Sequence, residues 1–238
     1  MKWKVRLTGS DRGLETLAES FTDEPEVFED DDKFFLWSSQ FEDLNNAKEV
    51  RDKAEEIVKI IRNFGIKDSL RTDELQASHI HEIYEDDSEH VTVRAEVATI
   101  KMKAGPVHVT TTDEDGDEEV HRPADRTYEL TQLATEDDKV RDLVDLLDKG
   151  NNWVNLYRIY EFIQENIDGD KNIVDRDWWN SNEKDLFKQT ANSRDAIGDD
   201  ARHGQDRIPA PEDPMNYSEA KNLVNSLIQD WLEHRKEL

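Results

Sequence analysis

The chain contains no cysteine among its 238 residues. Disulfide staples and thiolate metal sites are therefore excluded, and the composition suits a reducing compartment. Long apolar runs are missing too. No stretch approaches the roughly 20 apolar residues that span a bilayer. The opening Met1-Lys2-Trp3-Lys4-Val5 lacks the apolar segment of a signal peptide. The expectation is a cytoplasmic protein with no membrane role. Basic residues are the scarcer charge: 31 Lys and Arg stand against 57 Asp and Glu, a formal net charge of −26. Residues 1–128 hold 32 acidic and 17 basic residues, and residues 129–238 hold 25 and 14, so the excess is spread along the chain. Such a chain repels phosphate over most of its surface, and any nucleic-acid role has to come from a local patch. The same acidity suits a non-enzymatic inhibitor, scaffold or nucleic-acid mimic that binds a basic protein partner. Lysine is not depleted, at 16 against 15 Arg, which speaks for ordinary acidity rather than salt adaptation. No phosphate loop, dinucleotide glycine fingerprint or nucleophile elbow occurs, and no cofactor is expected.

What is present reads as two halves. Trp3, Val5 and Leu7 alternate with Lys4 and Arg6, the mark of a half-buried strand. Leu14, Leu17, Ala18 and Phe21 have helical spacing over 11–21. Two strands, 26–29 and 33–41, flank the acidic turn Asp30-Asp31-Asp32. Ala47, Val50, Ala54, Ile57, Ile61 and Phe64 predict a helix over 45–64, with Gly65 placed to end it. Strands are expected at 75–84, 90–102 and 107–121, the last carrying a hairpin tip at Asp115-Gly116. The order β-α-β-β-α-β with added strands predicts a ferredoxin-like α+β sandwich.

After Pro123 the strand signal stops. The expected domains are residues 1–128, the sandwich, and residues 129–238, all helical. Leu130, Leu133, Val140, Leu143, Val144 and Leu147 predict one or two helices. Asn151 or Asn152 caps another, with Trp153, Leu156, Tyr160 and Ile163 on one face. A short helix follows at 181–190. Asn216 and Glu219 form a capping box for a last helix whose apolar stripe is Ala220, Leu223, Val224, Leu227 and Trp231.

Metal binding finds little support. Asp113, Asp115 and Asp117, and likewise Asp168, Asp170 and Asn172, have the alternation of a calcium loop. The glycine at position six and the glutamate at position twelve are missing from both. His79 and His81 share a strand face with no evident third ligand. No metal site is expected.

The chemically dense stretch is 187–204. Between Lys184 and Arg207, five basic residues meet five acidic ones, so this window is the least repulsive to phosphate. An Arg can clamp a phosphate, and a neighbouring His can exchange a proton near neutral pH. Arg202 and His203, with Arg194, thus form a candidate for metal-independent RNA cleavage: His203 as acid or base, Arg202 or Arg194 on the charged phosphorane. The alternative is that Asp199, Arg202 and His203 only tie down an interhelical loop. Arg158 and Glu161, three apart on one helix face, either complete the site or form a surface ion pair.

The run Asn192-Ser193…Gly198-Asp199…Arg202-His203-Gly204, followed by a proline-containing loop and a helix, resembles the C-terminal part of HEPN-like helical domains, which include bacterial abortive-infection proteins. Trp153–Glu161 would match an earlier core helix of that domain. The resemblance covers about residues 130–238. It implies a helical bundle, homodimerisation, and a bacterial defence or stress role acting on RNA or nucleotides, with Asn192, Asp199, Arg158 and Glu161 as binding residues. Active members space Arg and His by four to six residues. Here Arg194 and His203 have eight between them, and Arg202 adjoins His203. A nucleotide-binding or scaffolding version is therefore the rival within the same family. Trp178-Trp179 is expected to offer exposed aromatic surface to a second copy.

Overall fold

The computed structural model describes residues 2–68, 70–84, 89–92, 109–112, 118–121, 123–167, 170–202 and 208–238. It is a mixed α+β chain of two compact units, Met1–Asp137 and Asp138–Leu238.

The first unit begins with β1 (Trp3–Thr8), α1 (Asp11–Ser20), β2 (Glu26–Asp30), β3 (Lys33–Trp37), α2 (Ala47–Lys67) and β4 (Gln76–Ile83). Their antiparallel sheet runs β2-β3-β1-β4, and β5 (Glu89–Thr92) extends it beyond β4. β6 (Val109–Thr112) and β7 (Glu118–His121) form a separate antiparallel pair. Its expected tip at Asp115-Gly116 lies outside the described residues. The β2-β3 turn works because Asp31 and Asp32 both take positive φ, 52° and 58°, as a two-residue hairpin of this hand requires.

Alternation decides the two faces of the sheet. Val5 lies opposite Leu36 on one side and Ile80 on the other, and Leu7 opposite Ala77. These join Leu14, Leu17 and Phe21 of α1 and Val50, Ala54, Ile57 and Ile61 of α2 in one core. α1 is capped by Ser10 and α2 by Asn46, each side chain accepting from backbone N–H groups of the first turn.

Gly65 does not end α2, which runs on to Lys67. Its role is close packing: a Cβ there would stand 2.5 Å from Thr72 Oγ1. Strand β3 also stops short of the expected residue 41. Ser38 caps a 3-10 turn, Ser39–Phe41, which carries Phe41 into the core.

Helix α3 (Pro123–Glu136) belongs with the first unit. Proline suits a first helical position, where its missing N–H costs nothing. Asp68, at the end of α2, accepts from Thr127 Oγ1 at 2.7 Å and Arg126 Nη1 at 3.1 Å. Tyr128 packs edge-on against Phe21 at 5.0 Å. The expected boundary at 128/129 falls inside this helix, and the compact units divide after it.

The second unit contains α4 (Asp138–Leu147), α5 (Trp153–Asn166), α6 (Asp170–Asp175), α7 (Ser181–Asn192), α8 (Arg194–Ile197) and α9 (Tyr217–Lys236). Asn152 caps α5. Asn180 with Glu183, and Asn216 with Glu219, form reciprocal capping boxes on α7 and α9. α6 and α8 had no apolar period to announce them. No helix among the described residues is long and apolar enough to cross a membrane.

Candidate functional site

The second unit builds its core from rings. Tyr160 stacks on Trp179 with centroids 5.4 Å apart, and Tyr157 stacks on Phe187 at 5.9 Å. Phe187 meets Trp179 edge-on at 5.4 Å. Trp179 is buried and donates from Nε1 to the Leu223 carbonyl at 3.1 Å. The expected exposed Trp178-Trp179 surface is therefore corrected. Adjacent residues in a turn point apart, and one of these two is core. Trp178 is only partly exposed, beside Arg176 and His234.

The last turn of α7 is polar yet buried, because it holds the flanks of the following loop. Arg202 N donates to the Ala191 carbonyl at 3.1 Å. Ser193 Oγ donates to the Ile208 carbonyl at 2.8 Å, and Gln189 Nε2 to the Pro209 carbonyl at 3.0 Å. Thr190 Oγ1 accepts from Met215 N at 3.2 Å. Thr190 and Ser193 are fully buried. Buried hydroxyls are stable only when bonded, and here both bond the chain that follows the loop. Residues 202 and 208 are both anchored. His203 and Gly204 lie between them, outside the described residues.

Arg202 is the best-placed cation. Its guanidinium lies 4.6 Å above the Tyr157 ring, and Nη2 pairs with Glu161 Oε1 at 2.8 Å. Tyr157 and Glu161 are one helical turn apart on α5, so one face offers both ring and carboxylate. The two charged side chains are about one-third exposed, 31% and 33%. Arg202 is thus oriented at a surface; among the described residues one terminal nitrogen is engaged, and the guanidinium carries further N–H donors that suit an oxyanion. Arg158 is exposed on α5, three residues before Glu161. Arg194 is differently held: its Nη2 pairs with Asp199 Oδ1 at 2.5 Å, with both groups well exposed. Gly198, between them, takes φ +66°, which lets α8 end and the loop fold back. Asn192 donates from Nδ2 to the Lys188 carbonyl at 2.8 Å. Its buried Oδ1 has no hydrogen-bond partner among the described residues. Lys188 Nζ stands 5.8 Å over Tyr160.

Of the sequence candidates, Arg202 and Glu161 come together and Arg158 lies one turn away. Arg194 and Asp199 form their own pair. Sequence reasoning missed Tyr157, Thr190 and Ser193. The i, i+4 spacing of Tyr157 and Glu161 was the available signal for the first. Among the described residues, no group of three His, Asp or Glu could hold a metal ion. The arrangement can position an arginine against an anionic group and can hold a polar loop beside it.

No family model, no curated protein and no solved structure matches this chain.

Proposed function

We propose that the second unit is a HEPN-like helical module that acts on RNA or a nucleotide without a metal, in a bacterial defence or stress role. The supporting observation is Arg202, laid on Tyr157 and paired with Glu161 while its loop is anchored at residues 202 and 208. A loop that only connected two helices would have no need of two fully buried hydroxyls, Thr190 and Ser193, to hold its flank. In this reading Arg202 contacts a phosphate. His203 takes the proton of the neighbouring 2′-hydroxyl as it attacks phosphorus. The P–O5′ bond breaks, a cyclic phosphate forms, and the leaving 5′-oxygen takes the proton back from the protonated His203. Arg202 stabilises the charge that builds on the phosphorane, an effect of order 10²–10³ in rate for a positioned donor. The first unit, with its order β2-β3-β1-β4, is in this reading a ferredoxin-like sandwich extended by β5. The full-length protein should cleave single-stranded RNA in the presence of EDTA. Arg202→Ala should lower that rate by about 10²-fold or more. Cleavage left intact in Arg202→Ala would reject the site.

A second reading has its own observation. Arg194 is neutralised by Asp199, and residues 11–32 carry ten carboxylates against Arg12 alone. A non-enzymatic protein that binds a basic partner fits that charge. It predicts no cleavage, and a complex with a basic partner that dissociates as salt is raised.

A further inference from the structure

The face of the sheet turned away from α1 and α2 is unlike the rest of this acidic chain. Strand alternation puts Val5, Leu7, Val27, Leu36 and Ile80 into the helix-facing core. The intervening residues must point the other way. Phe28 lies opposite Phe35, and Phe35 opposite Arg6. Trp37 lies opposite Glu26, and Lys4 opposite His81. An antiparallel sheet with one solvated face ordinarily alternates apolar-in and polar-out. Here the outward positions carry three aromatic rings and an imidazole.

The rings are organised. Phe28 stacks on Phe35 with centroids 5.9 Å apart and planes at 27°. His81 meets Phe35 edge-on at 5.0 Å, and the Lys4 ammonium lies 4.5 Å from the same ring. Phe35 is the buried floor of this cluster, whereas Phe28, Trp37, Arg6 and His81 are partly exposed around it. The charge on this face is close to balanced. On β1 to β4 this face carries Lys4, Arg6 and Lys33 against Glu26 and Asp30, in a chain with 57 acidic and 31 basic residues. Lys4 is paired with Asp30 at 2.8 Å and Lys33 with Asp31 at 3.9 Å, while Arg6 makes no ion pair among the described residues.

We propose that this face is a stacking surface for single-stranded nucleic acid, with bases on Phe28 and Trp37 and phosphate against Arg6. Unpaired bases have free π-faces, and sheets with aromatic side chains on an open face bind them by stacking. A duplex keeps its bases stacked inside and offers these rings nothing. The site lies in the first unit and does not depend on the Arg202 reading. Net repulsion from the rest of the chain makes the interaction short-range. Added salt screens that repulsion while it also weakens the phosphate contact, so affinity should change little with ionic strength.

The test is fluorescence anisotropy of labelled oligouridine with the full-length protein, alongside a duplex of equal length. The expected result is saturable binding of the single strand in preference to the duplex. Binding should be weakened at least about 5-fold in Phe28→Ala, the lower end of what one base stack contributes. Arg6→Glu should also weaken it, and Lys139→Ala, at an exposed cation of α4, should leave it within about 2-fold. Should Phe28→Ala lose its folded circular-dichroism spectrum, Arg6→Glu decides alone. Three results would overturn the proposal: no binding of the single strand, duplex bound equally well, or affinity kept in Arg6→Glu while it falls in Lys139→Ala.

Discussion

The two units fill their interiors with different materials. The first closes a sheet against helices mainly with Val, Leu and Ile. The second is centred on Trp153, Tyr157, Tyr160, Trp179 and Phe187, rings in mutual contact at 5.4–6.4 Å. Aliphatic packing ends where the apolar atoms end. A tyrosine or tryptophan carries the core outward to a polar edge. In the second unit the ring of Tyr157 has Phe187 stacked on it and the Arg202 guanidinium over it, so core and candidate site share an atom set. In the first unit the core and the aromatic face lie on opposite sides of the sheet. Damage to the core should therefore reach the site in the second unit and spare the outer face in the first.

The largest expected effect breaks the aromatic core. Phe187→Ala removes a fully buried ring in contact with four others. It should cost about 3–5 kcal/mol in urea unfolding and take RNA cleavage down with it. Ile57→Val, equally buried in the first unit, should cost only about 0.5–1.5 kcal/mol and leave cleavage unchanged. If cleavage survives in folded Phe187→Ala protein, core and site are not coupled.

The division between the units gives the next test. Leu130, Thr131 and Ala134 of α3 are buried in the first unit. A fragment of residues 1–137 should unfold in a single cooperative transition, whereas 1–128 should melt at lower temperature. Equal melting temperatures would mean that the second half of α3 adds nothing. Asp68→Ala should then cost about 1–3 kcal/mol, since it removes the acceptor of the buried Thr127 Oγ1. A change below about 0.5 kcal/mol would show that the α2-α3 contact is carried by apolar packing alone.

Local periodicity explains what could be read in advance. Trp3, Val5 and Leu7 alternate, and Val50, Ala54, Ile57 and Ile61 repeat every three or four residues, so both elements declare which face they bury. The capping box of Asn216 and Glu219 likewise needs only four residues. Gly65 misled because its purpose depends on Thr72, which comes against it only after the chain folds back. Trp178-Trp179 misled because no period says which of two neighbours turns inward. Half of the candidate site was legible for the same reason. Tyr157, Arg158 and Glu161 share one helix and have fixed spacing. The pairing of Glu161 with Arg202 joins α5 to a loop beyond α7, and nothing local in the sequence specifies it.

The smallest effect concerns Asp230 on α9. Burial raises the pKa of its carboxyl above the ordinary value. A raised carboxyl means that the folded state holds the proton more tightly than the unfolded state. Stability is then lost as pH rises through the unfolded value, about 3.9, towards the folded one. Asp230→Asn removes that charge, so it should melt slightly higher than the wild type near pH 7. The difference should vanish below about pH 4. A gain that persists at low pH would point to a cause other than ionisation.

The central claim is that the Arg202 site of the second unit acts on RNA. The most direct measurement is the cleavage rate of single-stranded RNA by full-length protein in EDTA, with wild type, Arg202→Ala and His203→Ala assayed together and their melting temperatures recorded. The account predicts cleavage by the wild type and a loss of about 10²-fold or more in each variant, with only minor loss of stability. Wild-type protein inert on RNA, with both variants markedly less stable, would contradict it and leave Arg202 and His203 as the fastening of a loop.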